Sequence, residues 1–522
     1  MADTRTSTRT PDEPGTRTPD EPGTPTPARI RSPRFLVPIV AAALVAILIG
    51  VFVGPQHQVV GPQTAGDEEL AGRTRDLVDG TGGFRALTVA EVTADQVTWA
   101  GLGNSGPGRD GPPPGADAVF ETGSVAKTFV AALFADAIER GEVSPDDALE
   151  QHLPALTGTE AGSVTLASLA QHSSGLPPLG ASAANSTSGL TGGNPYADRS
   201  TEQLIADAAE ATLNPDQPPT YSNFGISLLG TALAETAGTD YRTLLAERIT
   251  EPLGMTNTWI PDETRPIPDD AVRGFTFNGT PAPRWPGDGY APAGVLTLTT
   301  ITDMAIWAQA QLDGTAPGGE ARTATAPFDD RTQIGWAWFT TVLPTGDEPS
   351  TMVWHNGMTG GHRAMLAIDV EQERAVVVLG NAATDVDSIA MGLLYDSPVV
   401  GQTITVTLML WAIVAIAVTF SVMALWWALR ARSALSSIAM LLISVAGLML
   451  LWNSGPWHSV GGWLWGLALA PTLAAIPVLA LRTVLVPTGT TAVPLRPTGS
   501  AQVPWLGVAL GALLIIGVAQ LW

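Results

Sequence analysis

Several kinds of residue are absent or nearly absent from the chain. None of the 522 residues is cysteine, which excludes disulfide bonds, thiolate metal sites and cysteine nucleophiles. Lysine occurs once, at Lys127, although the chain has 26 basic residues. Acidic residues end at Asp396, and only four arginines carry charge after it. The chain therefore consists of a charged part and a nearly uncharged part, with one amine in the charged part.

The charged part is strongly acidic. Of the 49 acidic and 26 basic residues, 44 and 16 lie between residues 55 and 400, a formal balance of −28. Such a surface repels phosphate backbones and anionic lipid headgroups. Nucleic acid is therefore excluded as a partner.

The single lysine belongs to a Ser-x-x-Lys tetrad, Ser124 to Lys127, at the start of an apolar run with helical spacing. Residues three apart on a helix share a face, and a helix N-terminus stabilises developing negative charge. Arginine cannot act as a base, whereas a buried lysine can lose its proton. The tetrad predicts a nucleophile, Ser124, and a general base, Lys127. The alternative is a helix-capping serine followed by a surface lysine. The other motifs of the chain must decide between these two interpretations.

Long apolar runs flank the acidic part. Residues 1–34 read as a disordered cytoplasmic tail, and residues 35–54 as a transmembrane anchor preceded by arginines. A cleaved signal peptide is the competing interpretation, but no Ala-x-Ala site follows. Residues 399–522 predict four transmembrane helices, about Thr403 to Trp427, Leu435 to Trp452, Trp463 to Leu481 and Val503 to Leu521. Arginines in the connecting loops place the N-terminus inside and the acidic domain outside a cell membrane.

Between the apolar regions, hydrophobic periodicity predicts strands early, helices in the middle and strands late. This order predicts an α+β domain whose sheet joins both ends of the domain. Pro62 to Gly66 reads as a linker before it. The predicted helices are Glu68 to Val78, Ser124 to about Gly141, Thr165 to His172, Thr201 to Thr212, Tyr221 to Thr236, Asp240 to Ile249, Thr302 to Leu312 and Asp387 to Leu394. The predicted strands are Ala86 to Val92, Gln96 to Leu102, Trp336 to Leu343, Thr351 to Met358, Arg363 to Val370 and Ala375 to Leu379.

Two further motifs follow the tetrad. Tyr221-Ser-Asn223 places a phenol and an amide at a predicted helix N-terminus. His355-Asn-Gly-Met358 lies on a predicted strand, where Gly357 permits close approach of a substrate backbone. Together with the tetrad, they supply the groups that a serine acyl-transferase needs.

These motifs, in this order, resemble the serine β-lactamase and penicillin-binding-protein superfamily, especially its class C β-lactamase, D,D-peptidase and esterase branch. The stretches Ala170 to Pro177, Glu251 to Thr256 and Pro292 to Leu296 look like signatures of the same family. The resemblance covers residues 68–396 and implies a β-lactamase-like fold, an antiparallel sheet flanked by helices plus an all-helical lobe. With the apolar runs, one N-terminal and four C-terminal transmembrane helices complete the expected architecture.

The resemblance implies a role for each motif residue. Ser124 forms the acyl-enzyme, Lys127 activates it, and Tyr221 shares proton transfer with the leaving group. Asn223 orients Lys127 and the substrate carbonyl, and the backbone N–H groups of Ser124 and Met358 form an oxyanion hole. No metal or other cofactor is implied. His355 replaces the lysine with which many members attract a substrate carboxylate, so β-lactamase activity proper is not favoured.

The predicted function is a membrane-anchored, outward-facing serine hydrolase of the D,D-carboxypeptidase or esterase type. Its substrates are D-amino-acid peptides of the cell-wall type, or small esters and amides, and association with the cell wall stays open. The rival is a penicillin-binding or wall-fragment sensor that is acylated without turnover and signals through its membrane helices.

Other candidate residues have more ordinary interpretations. His172 is expected to be structural, below the site. His362 either reaches the cleft or faces solvent, and Trp285 and Trp354 belong to the core or to the cleft wall.

Overall fold

The structure is a computed structural model that describes residues 33–55, 59–81, 83–106, 111–185, 194–214, 216–276, 278–344, 349–382, 385–396, 404–430, 434–457 and 460–485. Two predicted segments lie outside these residues. They are most of the tail at residues 1–34 and the fourth C-terminal apolar segment, Val503 to Leu521.

The centre of the acidic domain is an antiparallel sheet. Its strand order is β1-β3-β2-β11-β10-β9-β8-β7-β6, and a separate two-stranded sheet pairs β4 with β5. Early strand β2 pairs along its length with late strand β11, which confirms that the sheet joins the two ends of the domain. The strands are β1 (Thr64–Gly66), β2 (Ala86–Thr93), β3 (Val97–Gly103), β4 (Phe120–Glu121), β5 (Leu298–Thr299), β6 (Ala326–Pro327), β7 (Thr332–Ile334), β8 (Phe339–Leu343), β9 (Ser350–Met358), β10 (Arg363–Asp369) and β11 (Arg374–Gly380).

Helices cover both faces of the sheet. In β10, Leu366 packs in the cluster that contains residues of helices α3, α8 and α10, whereas its neighbour Met365 packs in the cluster that contains residues of α2 and α11. Successive strand residues point to opposite faces, so a strand buried on both sides reads as a continuous apolar run. The helices of the domain are α2 (Glu68–Thr81), α3 (Lys127–Glu139), α4 (Leu149–His152), α5 (Leu166–Ala170), α6 (Ala181–Ala184), α7 (Thr201–Ala209), α8 (Asn223–Ala237), α9 (Tyr241–Leu245), α10 (Ile301–Asp313) and α11 (Asp387–Tyr395).

Three sequence-based assignments differ from the structure. The predicted linker Pro62 to Gly66 contributes edge strand β1, whose residues pair with Ala100 to Leu102. The helix predicted from Ser124 begins with a 3₁₀ turn, Gly123–Ala126, before α3. The helix predicted to reach Ile249 is α9 followed by the π-helical turn Ala246–Thr250. The 3₁₀ and π turns are local hydrogen-bonding choices that hydrophobic periodicity does not distinguish, whereas β1 forms because its residues pair with a strand far along the chain.

The remaining helices are apolar: α1 (Pro33–Phe52), α12 (Ile404–Arg430), α13 (Ala434–Ser454) and α14 (Trp463–Leu485). In the last three, the segments Leu408–Arg430, Leu435–Ser454 and Trp463–Leu481 are long and apolar enough to cross a membrane, whereas the apolar run of α1, Leu36–Phe52, is shorter.

Helix α1 packs against α14 through glycines. A Cβ placed on Gly50 would lie 2.5 Å from the Cα of Gly466, and one on Gly54 would lie 3.1 Å from the Cα of Gly462. Gly50 lies in α1 and Gly466 in α14, whereas Gly54 and Gly462 lie just beyond the ends of these helices. The four-residue spacing on each segment is the small-xxx-small pattern that lets backbones approach closely. The N-terminal apolar helix is therefore joined to the C-terminal ones by direct backbone packing.

Candidate active site

Ser124 lies in the tight 3₁₀ turn that connects β4 to α3. Gly123, just before it, has a φ of +51°, and a Cβ there would lie 2.5 Å from the backbone nitrogen of Met358. Only glycine fits this left-handed conformation at such close range. The turn therefore places Ser124 directly beside the end of β9.

Lys127 is completely buried behind Ser124. Its Nζ lies 2.7 Å from Ser124 Oγ and donates to the Ala293 carbonyl, also at 2.7 Å. Burial holds the pKa of Lys127 well below its ordinary value. A neutral amine that donates to Ala293 keeps its lone pair for the Ser124 hydroxyl proton.

Tyr221 lies on the other side of the amine. Lys127 Nζ is 5.0 Å from the Tyr221 ring centroid, and the Tyr221 side chain hydrogen-bonds to Ser124. Burial raises the pKa of Tyr221 above its usual range, so the phenol keeps its proton. A neutral phenol beside the nucleophile is a proton donor.

His172 supports this tyrosine from below. Its ring centroid is 4.6 Å from that of Tyr221, and its Nδ1 accepts from the Ser222 backbone N–H at 3.2 Å. These contacts agree with the structural role expected for His172.

Asn223 is the first residue of α8, which Ser222 caps by accepting from the Gly225 N–H. Its Nδ2 donates to the Tyr196 hydroxyl at 3.0 Å, and its buried Oδ1 has no hydrogen-bond partner among the described residues. Asn223 lines the same cleft as Ser124. Within the described residues, the hydrogen bonds of Lys127 Nζ go to Ser124 and Ala293, so the expected contact from Asn223 to Lys127 is not formed here.

His355 points into the protein and does not line the cleft. It is fully buried, and its Nδ1 lies 2.6 Å from the Asn356 carbonyl oxygen. Burial, with Lys127 nearby, lowers the pKa of His355 to about 3. His355 is therefore neutral at physiological pH and provides no cation for a substrate carboxylate.

Gly357 and Met358 bring β9 against the serine turn. A Cβ on Gly357 would lie 2.1 Å from the Thr122 carbonyl oxygen and 2.9 Å from the Ser124 nitrogen. The cleft borders Ser124, Gly357 and Met358. This arrangement suits an oxyanion hole made from backbone N–H groups.

The cleft has a volume of about 360 Å³. Its walls include two residues that the sequence did not single out, Tyr196 and Arg363, and one that it left between core and wall, Trp285. Tyr196 packs against Trp285 with ring centroids 6.0 Å apart. No local sequence pattern predicts that Tyr196 or Arg363 lines the cleft, because a loop and the pairing of distant strands bring them there.

Two other aromatic residues lie elsewhere. His362 is buried, does not line the cleft, and has its Nε2 3.9 Å from Glu121 Oε1, so neither position expected for it was right. The Trp354 ring packs 5.1 Å from that of Phe339, and its Nε1 donates to Thr341.

An antiparallel sheet between helices, with a serine and a buried lysine at the start of one helix, is the arrangement of the serine β-lactamase and penicillin-binding-protein-like superfamily. Residues 71–395 match the family model described as Beta-lactamase. The chain therefore belongs to the beta-lactamase family, within the superfamily of serine β-lactamases and penicillin-binding-protein-like enzymes.

Sequence relatives agree with this assignment. The "Beta-lactamase" of Escherichia coli (strain K12) is 29% identical over 200 residues, 37% of this chain and 48% of the relative. The "Beta-lactamase" of Pseudomonas fluorescens is 26% identical over 303 residues, 50% of this chain and 79% of the relative. The chain thus spans about half the length of the first of these relatives.

Solved structures share the fold. A class C beta lactamase from Rhodobacter sphaeroides superposes with a TM-score of 0.51 at 23% identity, covering 60% of this chain and 94% of that one. D-alanine carboxypeptidase AmpC from Burkholderia cenocepacia gives a TM-score of 0.53 at 22% identity, covering 63% of this chain and 99% of that one. At these identities the comparison concerns the fold alone.

Proposed function

We propose that the protein is a membrane-anchored, extracytoplasmic serine hydrolase that acts through an acyl-enzyme. Its substrates are D-amino-acid peptides of the cell-wall type, or small esters and amides. The observation that carries the proposal is the buried Lys127 amine, held 2.7 Å from Ser124 Oγ and from the Ala293 carbonyl oxygen. An amine in this position has no structural task that an apolar residue could not perform better.

The acylation step follows from the contacts of the site. Lys127 takes the Ser124 proton as Oγ attacks the substrate carbonyl, and the oxyanion receives hydrogen bonds from the backbone N–H groups of Ser124 and Met358. Tyr221, protonated beside Ser124, donates a proton to the leaving group as the carbon–heteroatom bond breaks. Water then attacks the ester and gives a proton to the Tyr221 phenolate, Lys127 returns its proton to Ser124 Oγ as Oγ departs, and the free acid is released.

Asn223 has a positioning role in this proposal. Asn223 lines the cleft, and its buried Oδ1 has no hydrogen-bond partner among the described residues, so a substrate N–H that packs against it can donate to it, while Tyr196 holds the amide nitrogen. This supports a substrate with an amide next to the acyl carbonyl.

The test of the nucleophile is labelling with a fluorophosphonate probe and hydrolysis of a chromogenic ester by wild type and Ser124→Ala. We expect the substitution to abolish labelling and to lower kcat/KM by at least about a thousand-fold. Labelling that persists in Ser124→Ala would refute the assignment. A burst of one equivalent of product without further turnover would support the sensor instead.

The proposed domain organisation is a cytoplasmic tail (1–34), an anchor (35–54), a catalytic domain (68–396) and a four-helix membrane region (399–522). The three long apolar helices, and the packing of α1 on α14, support a shared membrane location. The arginine bias places the catalytic domain outside.

Because the chain has no cysteine, single cysteines can report its orientation in intact cells. A membrane-impermeant maleimide should label Asp146→Cys, an exposed position of the catalytic domain, and should leave Ser7→Cys of the tail unlabelled. The reverse pattern would overturn the orientation.

A further inference from the structure

One aromatic wall of the cleft stands on a loop. Trp285 belongs to the loop of residues 278–287, which we name the wall loop. The ring centroids of Trp285 and Tyr196 are 6.0 Å apart, and both side chains line the cleft. The buried Nε1 of Trp285 has no hydrogen-bond partner among the described residues. The position of the Trp285 ring therefore depends on how the wall loop itself is held.

One side of the wall loop rests on the turn that follows β9. A Cβ placed on Gly361 would lie 2.5 Å from the Cβ of Ala282. A Cβ placed on Gly360 would lie 2.7 Å from Trp285 Nε1. Because neither glycine has room for a side chain, the loop and the turn are in direct contact.

An ion pair joins the wall loop to the strand that leads into the serine turn. Arg284, next to Trp285, donates from Nη1 to Glu121 Oε1 at 2.9 Å. Glu121 ends β4, three residues before Ser124, and its side chain is only 3% exposed. Neither Arg284 nor Glu121 is among the described residues that line the cleft. The pair therefore links the loop to the serine turn without facing the substrate.

The charge that balances Glu121 comes from Arg284. His362 is also close, with its Nε2 3.9 Å from Glu121 Oε1. Burial lowers the pKa of His362 to about 4, so this ring is neutral at physiological pH. A buried carboxylate that loses its cation is strongly unfavourable. Breaking the Glu121–Arg284 pair is therefore costly, which keeps the wall loop in one position.

The wall borders the acyl side of the proposed reaction. The Tyr196 hydroxyl accepts from Asn223 Nδ2 at 3.0 Å, and Asn223 is the proposed acceptor for an amide next to the acyl carbonyl. An aromatic group on the acyl part of a substrate then lies against Tyr196 and Trp285. Aromatic rings attract one another only in a few relative orientations, so the position of the wall matters.

We propose that the Glu121–Arg284 pair holds Trp285 in position and thereby sets the preference of the enzyme for aromatic acyl groups. The inference rests on the proposed hydrolase function and adds two positioning residues to it. Contact between two aromatic rings strengthens binding by roughly two- to ten-fold beyond the burial of their surface. Loss of the ion pair should remove this gain, because the loop no longer fixes the ring.

Two p-nitrophenyl esters test the proposal in the full-length protein, one with an acetyl group and one with a phenylacetyl group. Both release the same leaving group, so the ratio of kcat/KM for the phenylacetyl ester to that for the acetyl ester reports on the acyl group. Because both esters are measured on one sample, the ratio does not depend on the fraction of enzyme that is folded.

Arg284→Met should lower this ratio roughly two- to ten-fold, mainly through a higher KM for the phenylacetyl ester, because Arg284 contacts no reacting atom. Arg284→Lys, which keeps a cation beside Glu121, should lower it less. Trp285→Ala should lower the ratio at least as far as Arg284→Met, and combining the two substitutions should lower it no further. An unchanged ratio in Arg284→Met, or additive losses in the double variant, would overturn the proposal.

Arg248→Met is the matched control. Arg248 also pairs with a carboxylate, donating to Glu142 at 2.6 Å, and its side chain is 17% exposed compared with 28% for Arg284. It lies outside the cleft. The control variant should lose stability and keep the wild-type ratio. An equal change of the ratio in Arg248→Met would mean that general destabilisation causes it, which would also refute the positioning role.

Failure of the hydrolase proposal gives a different result. If Ser124 is not the nucleophile, fluorophosphonate labelling is absent from wild type or persists in Ser124→Ala. If only the positioning role is wrong, labelling depends on Ser124 while the ratio of the two esters does not depend on Arg284. Retained labelling of Arg284→Met also shows that this variant is folded.

Discussion

At the residue scale, the proposed function depends on one amine that the protein keeps out of water. Lys127 sits among apolar side chains of α3, with Ser124 and the Ala293 carbonyl as its polar contacts. Burial of an amine favours its neutral form and opposes folding, because the unfolded chain binds the proton more tightly. The site is therefore a place where reactivity is obtained at the expense of stability.

Substituting Lys127 by Met should lower kcat/KM at least about a thousand-fold, and Lys127→Arg should be equally inactive because arginine cannot accept the serine proton. Ester hydrolysis by the purified full-length variants measures both. Appreciable turnover by Lys127→Arg would contradict the role of a neutral base.

Lys127→Met also tests whether the folded protein holds Lys127 in its neutral form. Between the lowered pKa of folded Lys127 and about 10.4, the unfolded state holds a proton that the folded state lacks. Wild-type stability should therefore rise with pH in this window, by up to about 1.4 kcal/mol per pH unit, relative to Lys127→Met. Thermal unfolding midpoints from pH 7 to 9.5 measure the difference, and a difference independent of pH would mean that folded Lys127 is charged.

At the scale of elements, the site depends on how closely β9 approaches the 3₁₀ turn of Ser124. Gly123 and Gly357 lie where the two backbones meet, and neither has room for a side chain. The turn and the strand come from distant parts of the sequence, and the sheet sets their separation.

Gly357→Ala should push β9 away from the 3₁₀ turn that carries Ser124. Its Cβ would lie 2.1 Å from the Thr122 carbonyl oxygen, so we expect a loss of about 1–3 kcal/mol in unfolding free energy and at least a hundred-fold loss in kcat. Denaturant unfolding and ester hydrolysis measure the two effects.

Gly72→Ala is the control, since no atom lies within 4 Å of a Cβ placed on Gly72 in α2. It should be neutral or stabilising by up to about 1 kcal/mol. Full activity in Gly357→Ala would show that β9 can shift without affecting the oxyanion hole.

At the scale of the whole molecule, the first helix and the last described helix meet. Gly50 of α1 fits against Gly466 of α14, and Gly54, just after α1, fits against Gly462, just before α14. Because the beta-lactamase-family domain lies between these helices in sequence, both of its ends lead to one helical assembly.

Gly50→Leu should push α1 away from α14 and lower the melting midpoint of the full-length protein in detergent. Val51→Leu, at a position that is 49% exposed, is the matched control and should leave the midpoint unchanged. Circular dichroism melting measures both. Equal midpoints for the two variants would mean that the glycine contact adds no stability.

Much of the architecture followed from the sequence alone. Alternating and helical periodicity located the main strands and helices, because one face of each must be buried. The order of Ser124, Lys127, Tyr221 and Asn223 indicated the family, since acyl transfer needs these groups together. The single lysine predicted the base, because arginine, the other basic residue of the chain, cannot lose its proton.

Only the tertiary structure decided which way individual side chains face. Periodicity shows that neighbours on β9 point oppositely, but packing beside Tyr221 and Phe339, with Lys127 nearby, decides that His355 is buried and neutral. Arg363 lines the cleft because β10 pairs with β9. Asn223 hydrogen-bonds to Tyr196, although α7 separates the two residues in the chain. Such contacts join residues far apart in the chain, and their partners depend on the whole fold rather than on any local pattern.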